Sequence, residues 1–208
     1  MIVGTLPPPR FSTGELKGDD VDFCYGSRNG MLWPILNKIF DLDLKYETSS
    51  EATLQRKQFL LKHRIAVCDI VDSAEREKVD ASDLGMQNVK LRDIIGYLEE
   101  YQNIKTLLFM GGNSKNGPEY FFRKLAKSQQ VELELISSDV PRVHQFKLPK
   151  NARVVQTVSF TAPSGAANRA IGSVQAYKDR KSKNPEYTTF DFRVEQYRPF
   201  FEDTFHLG

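Results

Sequence analysis

Short apolar runs alternate along this chain with longer stretches of helical spacing. The runs Met1 to Leu6, Ile65 to Val71, Thr106 to Met110, Val131 to Ile136 and Val154 to Phe160 predict buried strands. Between them, apolar residues recurring every three or four positions predict helices over Met31 to Phe40, Glu51 to His63, Leu91 to Gln102, Pro118 to Ser128 and Ala167 to Lys181. Strands and helices in alternation imply an α/β fold with a mostly parallel sheet. Thr48-Ser49-Ser50-Glu51 has capping-box spacing ahead of the second helix, and Pro118 suits a first-turn position, where its missing N–H costs nothing. Phe59, Leu60, Ile94, Ile95 and Leu98 fall on apolar stripes, whereas Arg56, Lys57, Glu99 and Glu100 lie off them and are expected to face water. No repeat, low-complexity tract or linker interrupts the pattern, so residues 1–208 read as one domain.

Composition agrees: 208 residues with 40% hydrophobic and 27% charged suit one ordinary globular domain. The net charge of +2 means that a polyanion would have to be met by local clustering rather than by a global field. Cys24 and Cys68 form no C-x-x-C pair, and His63, His144 and His206 lack H-x-x-x-H spacing, so neither a metal nor another cofactor is expected. No basic region followed by an apolar core opens the chain, and no apolar run approaches the roughly 20 residues of a membrane span. The expectation is a cytoplasmic protein with unbridged thiols and no membrane partner.

In an open parallel sheet, ligands bind outside the carboxyl ends of the strands, which directs attention to the loops there. Gly4-Thr5-Leu6-Pro7-Pro8-Pro9 leaves the first strand as a stiff turn, able to hold backbone groups against a ligand or simply to route the chain. Phe23-Cys24-Tyr25-Gly26-Ser27-Arg28-Asn29-Gly30-Met31-Leu32-Trp33 offers Tyr25 or Phe23 as a stacking face, worth about 1–3 kcal/mol per base. Asn29 offers both donors and acceptors to a base edge or a water. The same aromatics, Trp33 above all, also suit a core. Thr161-Ala162-Pro163-Ser164-Gly165-Ala166-Ala167-Asn168-Arg169 follows the last strand; its small residues let backbone N–H groups and the Ser164 hydroxyl approach a phosphate before a helix begins, although this is also ordinary capping chemistry.

Taken in order, these segments resemble the uracil-DNA glycosylase superfamily, nearest to its mismatch-specific and hypoxanthine-DNA glycosylase branches. The resemblance rests on Gly4-Thr5-Leu6-Pro7, on Tyr25 through Trp33, on Cys68-Asp69 with Glu75-Arg76-Glu77, and on Pro163 to Asn168. It implies a three-layer α/β/α sandwich around a mostly parallel four-stranded sheet. It also implies monofunctional hydrolysis of the N-glycosidic bond of a deaminated base (uracil, hypoxanthine or xanthine) in double- or single-stranded DNA, after the base leaves the stack. The enzyme would act as a monomer without a cofactor.

Carried over by position, the backbone of Thr5 and Leu6 would contact the base and Tyr25 would stack on it. Asn29 would be the catalytic residue, positioning water or meeting charge on the departing ring. Ser164 would hold a flanking phosphate, and Asn168 and Arg169 would lie in the loop that wedges into the duplex. Leu6 and Ala162 stand where the uracil-specific branch has an Asp and a His, and Gly30 stands at the family's Asn position, one residue beyond Asn29. Fast uracil removal by that branch's route is therefore not implied.

Two further segments each have two readings. Asn113, in Gly111-Gly112-Asn113-Ser114, would contact the base edge or belong to a turn with a helix cap. The run Lys178-Asp179-Arg180-Lys181-Ser182-Lys183 would neutralise phosphates or form a solvated helix face. The alternatives to a glycosylase are a noncatalytic nucleic-acid-binding relative and a nucleotide-processing hydrolase on a similar sheet; no P-loop or dinucleotide fingerprint supports the latter.

Overall fold

The structure, a computed structural model, describes residues 1–76 and 83–202. Along the chain, β1 (Ile2–Gly4) and a short helix α1 (Pro9–Thr13) lead to helices α2 (Leu32–Phe40) and α3 (Ser50–Lys62). Strands β2 (Val67–Asp69), β3 (Val71–Arg76) and β4 (Met86–Leu91) precede α4 (Ile94–Glu100), β5 (Thr106–Phe109) and α5 (Pro118–Ser128). Next come β6 (Glu134–Ser137), β7 (Arg142–Lys147) and β8 (Val154–Ser159), then helices α6 (Asn168–Ser173), α7 (Gln175–Lys183) and α8 (Thr189–Glu202). These elements group into two compact units, the first made of Met1–Thr13 and Ala66–Phe160, the second of Gly14–Ile65 and the residues from Thr161 onward.

The first unit holds a mostly parallel sheet in the order β2-β1-β5-β8-β7-β6. Its first four strands are parallel, whereas β7 and β6 run antiparallel to their neighbours. The sheet therefore has six strands, correcting the expected four. The parallel strands were legible because successive residues are buried, including Ile2, Val3, Leu107, Leu108 and Phe109, which makes them continuous apolar runs. By contrast, β7 buries Val143, His144 and Phe146 between charged ends, and the β3–β4 hairpin is largely exposed, so neither has such a run. The core of this unit gathers Val3, Ile70, Ile94, Leu107, Phe109 and Phe122 with their neighbours.

Helix boundaries differ from expectation where side chains compete for the backbone. Leu91 ends β4 opposite Val71 rather than starting a helix; Asp93 caps α4 instead, its Oδ1 accepting from the Gly96 N–H at 3.0 Å. Ser49, not Thr48, caps α3, accepting from the Ala52 N–H at 3.2 Å, while the Thr48 hydroxyl donates to the Asp20 carbonyl at 2.7 Å. Pro118 occupies the first turn of α5 behind Gly117. The helix expected over Ala167 to Lys181 breaks at Val174, whose extended backbone lets Val174 and Tyr177 pack against Ile171, Tyr187 and Phe192.

Arg56 does not face water. It is fully buried, its guanidinium 5.3 Å from the Trp33 ring centroid and 5.1 Å from that of Tyr46, with Nη1 donating to the Lys45 and Ala52 carbonyls. Nothing in the sequence pattern anticipated α8, because its buried face includes Arg193 and Gln196. Among the described residues, no helix is long and apolar enough to cross a membrane.

Candidate functional site

In the second unit, the segment from Asp20 to Trp33 is folded by its own backbone. Val21 N–H donates to the Gly26 carbonyl and Gly26 N–H to the Phe23 carbonyl, closing a tight loop. A Cβ on Gly26 would lie 1.9 Å from the Val21 oxygen, so only glycine fits there. The buried Asp20 carboxylate accepts from the backbone N–H groups of Arg28 (2.8 Å) and Lys17 (3.0 Å), fixing the far side of the loop. Tyr25 is held at φ +57°, a left-handed conformation that costs a bulky side chain on the order of 1–3 kcal/mol and tends to occur where function requires it.

The two readings of the aromatics separate here. Trp33 is core: it is 2% exposed, donates from Nε1 to the Cys24 carbonyl at 2.8 Å and packs on Phe23 and Phe59. Phe23 is therefore engaged in packing, and Tyr25, the other candidate stacking ring, is half-buried. Asn29 sits exposed at the tip of a turn in which Gly30 N–H donates to the Ser27 carbonyl at 2.7 Å. Its side-chain amide makes no hydrogen bond among the described residues. A Cβ at Gly30 would lie 3.0 Å from the Ser27 oxygen and 3.2 Å from that of Tyr25, leaving little room for a side chain there, so the amide is carried at position 29.

The loop from Thr161 to Asn168 lies against this segment. Gly30 and Ser164 form an antiparallel bridge, and Met31 N–H donates to the Pro163 carbonyl at 2.8 Å. The loop is held from α8. Gln196 Oε1 accepts from the N–H and hydroxyl of Thr161, and the Tyr197 hydroxyl donates to the Thr161 carbonyl. Arg193, fully buried, donates from Nε to the Ala162 carbonyl (3.0 Å), from Nη2 to the Ser164 carbonyl (2.7 Å) and from Nη1 to Asn168 Oδ1 (2.9 Å). Asn168 Oδ1 also accepts from the Thr189 hydroxyl, so its amide oxygen is engaged although the residue is exposed; Arg169 is exposed too and makes no ion pair among the described residues. The Ser164 hydroxyl caps nothing, and its half-buried side chain remains able to bond a ligand. The helix that follows, α6, has six residues and brings little macrodipole to an anion.

In the first unit, Ile70 N–H and Val71 N–H donate to the Gly4 and Thr5 carbonyls, which sets the loop after β1. Thr5 and Leu6 are half-buried, and the Leu6 side chain packs against the core of that unit. Asp69 ends β2 opposite Gly4; burial pushes its carboxyl above the usual range, with Arg92 drawing it partly back. Asn113 is exposed in the loop after β5, and the cap of α5 is Gly117 rather than Asn113 or Ser114. Of the Glu75-Arg76-Glu77 motif, Glu77 lies outside the described residues, as does His206.

The structure thus brings together, in the second unit, the loops carrying Tyr25, Asn29, Ser164, Asn168 and Arg169, whereas Thr5, Leu6 and Asn113 belong to the first. Sequence reading missed Asp20, whose carboxylate bonds backbone three and eight residues away, and Arg193 and Gln196, which act on a segment distant in sequence; the one available signal for the latter two was polar residues set among aromatics in Phe190 to Tyr197. Among the described residues, no group of three or more His, Cys, Asp or Glu side chains is placed to hold a metal ion. No family model matches the chain, and no curated protein or solved structure matches it.

Proposed function

We propose that this protein is a monofunctional DNA glycosylase that hydrolyses the N-glycosidic bond of a deaminated base (uracil, hypoxanthine or xanthine), on a three-layer α/β/α scaffold of the uracil-DNA glycosylase kind. The observation that carries the proposal is the bridge between Gly30 and Ser164. Two segments more than a hundred residues apart, each singled out for base or phosphate chemistry, are joined through their backbones. Tyr25 supplies the stacking face, Asn29 directs the attacking water with its outward amide, and Ser164 and Arg169 meet the flanking phosphates.

No lysine lies in the segments Gly4 to Pro9, Phe23 to Trp33 or Thr161 to Arg169 to form a Schiff base, so the chemistry is hydrolytic, with electrostatic stabilisation of the departing base. The test is base release from duplexes carrying each of the three bases. Release is expected from at least one, falling about 10²–10³-fold in Asn29→Ala, the usual effect of deleting one preorganised polar group. Undiminished release by Asn29→Ala would remove the catalytic assignment. Leu6, turned into the core where a water-holding acid would be useful, favours a second reading as a noncatalytic nucleic-acid-binding protein. Duplex binding without release of any of the three bases would select that reading.

A further inference from the structure

Outside the loops already described, the first unit contains a cluster that sequence reading did not foresee. Glu119, in the first turn of α5, is 1% exposed, yet both its oxygens are engaged. Oε1 accepts from Arg123 Nε at 2.9 Å, and Oε2 accepts from Arg142 Nη2 at 2.7 Å. Burial alone would raise the Glu119 carboxyl, but the hydrogen bonds from Arg142 and Arg123 outweigh it and hold the carboxyl below its usual range. Arg123 Nη2 lies 2.8 Å from His144 Nε2. Because a guanidinium can only donate, that nitrogen is the acceptor and the proton sits on Nδ1. Burial and the Arg123 charge both favour this neutral form, lowering the His144 pKa. The cluster therefore carries one negative charge against two positive ones.

One arginine would neutralise Glu119; the second is surplus. Both heads remain about one-third exposed, at 35% for Arg123 and 36% for Arg142. Arg142 Nε–H is buried without an acceptor among the described residues, a donor that lacks its partner. The cluster stands at the carboxyl ends of β5 and β8, where Arg142 is opposite Ser159, and beside the loop after β5. Gly112 comes close there: a Cβ on it would lie 3.9 Å from Glu119 Oε2 and 4.0 Å from Arg142 Nη2, leaving the approach open. A carboxylate that fixes two guanidinium forks while neutralising only one presents a rigid, singly positive surface, suited to bidentate recognition of a phosphate.

We propose that Arg123 and Arg142, fixed by Glu119, form a phosphate-binding site at the carboxyl edge of the sheet. The phosphate is that of a DNA backbone if the glycosylase reading holds, on which this choice of source rests. The test titrates inorganic phosphate, and separately an undamaged duplex across a salt series, against the full chain and its variants Arg142→Gln and Arg142→Lys. The lysine variant keeps the charge opposite Glu119, and so the fold, but removes the fork.

Phosphate affinity is expected to fall about tenfold or more in both variants. The salt slope of duplex binding is expected to drop by about one unit in Arg142→Gln, as for one lost phosphate contact. Loss of phosphate affinity with an unchanged slope would assign the site to a soluble phosphate ester and support the site while changing its source. Phosphate affinity unchanged in both folded variants would overturn the proposal. Base release is scored independently, so failure of the glycosylase reading leaves these outcomes intact.

Discussion

Arg193 shows how a single side chain can organise a loop whose own regular structure is a short 3-10 turn, Gly165–Ala167. Its guanidinium bonds the Ala162 and Ser164 carbonyls and the Asn168 amide oxygen, none of which lies within twenty residues of it. Truncation leaves these acceptors unsatisfied around a buried space. Arg193→Met is therefore expected to cost about 3 kcal/mol in urea denaturation. Arg193→Lys should recover only part of that, because an ammonium cannot serve three divergent acceptors. If the loop grips DNA as proposed, duplex affinity falls in Arg193→Lys even where the fold persists. Such a residue is not legible in a single sequence, since an arginine among aromatics reads as a solvated position until its acceptors are known. The residues that were legible, Tyr25, Gly26 and Ser164 among them, announce themselves through local chemistry: an aromatic beside an obligatory glycine, and a hydroxyl after a proline.

At the scale of elements, the same distinction separates what the pattern revealed from what it concealed. Strands β1, β5 and β8 were visible because burial of successive residues makes apolar runs, and α2 and α5 because one apolar face each repeats with the helical period. Strand β7 and helix α8 were hidden by buried polar groups, His144 in one and Arg193 and Gln196 in the other, whose cost is met by partners elsewhere in the fold. The start of α3 tests how finely local signals resolve. The spacing of Thr48 and Glu51 suggests a capping box, but Glu51 instead pairs with Lys45 at 2.5 Å and Thr48 is turned toward the Asp20 carbonyl. Ser49→Ala should therefore cost about 1 kcal/mol, as loss of a helix cap does. Thr48→Ala should leave the helix capped and instead loosen the segment around Asp20. Hydrogen exchange at Ala52 and at Arg28 would report the two effects separately, and protection lost at Ala52 only in Thr48→Ala would refute this assignment.

At the scale of the whole molecule, a net charge of +2 provides no long-range field for DNA, so affinity must come from local positive charge left over after internal pairing. Helix α7 is basic and buries no side chain, yet part of its charge is already committed: Arg180 pairs with Glu195 at 2.5 Å, and Lys181 donates to the Pro185 carbonyl. Arg169 has no such commitment among the described residues and follows the Ser164 loop directly. An exposed cation that contacts a phosphate releases about one counterion, whereas a cation already neutralised by a carboxylate has little left to exchange. Arg169→Gln is accordingly expected to lower the salt slope of duplex binding by about one unit and to weaken binding to all sequences alike. Arg180→Gln should leave the slope nearly unchanged. Salt titrations of the two variants on one undamaged duplex decide the matter. Equal slopes for Arg169→Gln and the unaltered chain would remove Arg169 from the DNA path. A large drop in Arg180→Gln would instead show α7 meeting the backbone as a charged face, its pairing with Glu195 given up on binding.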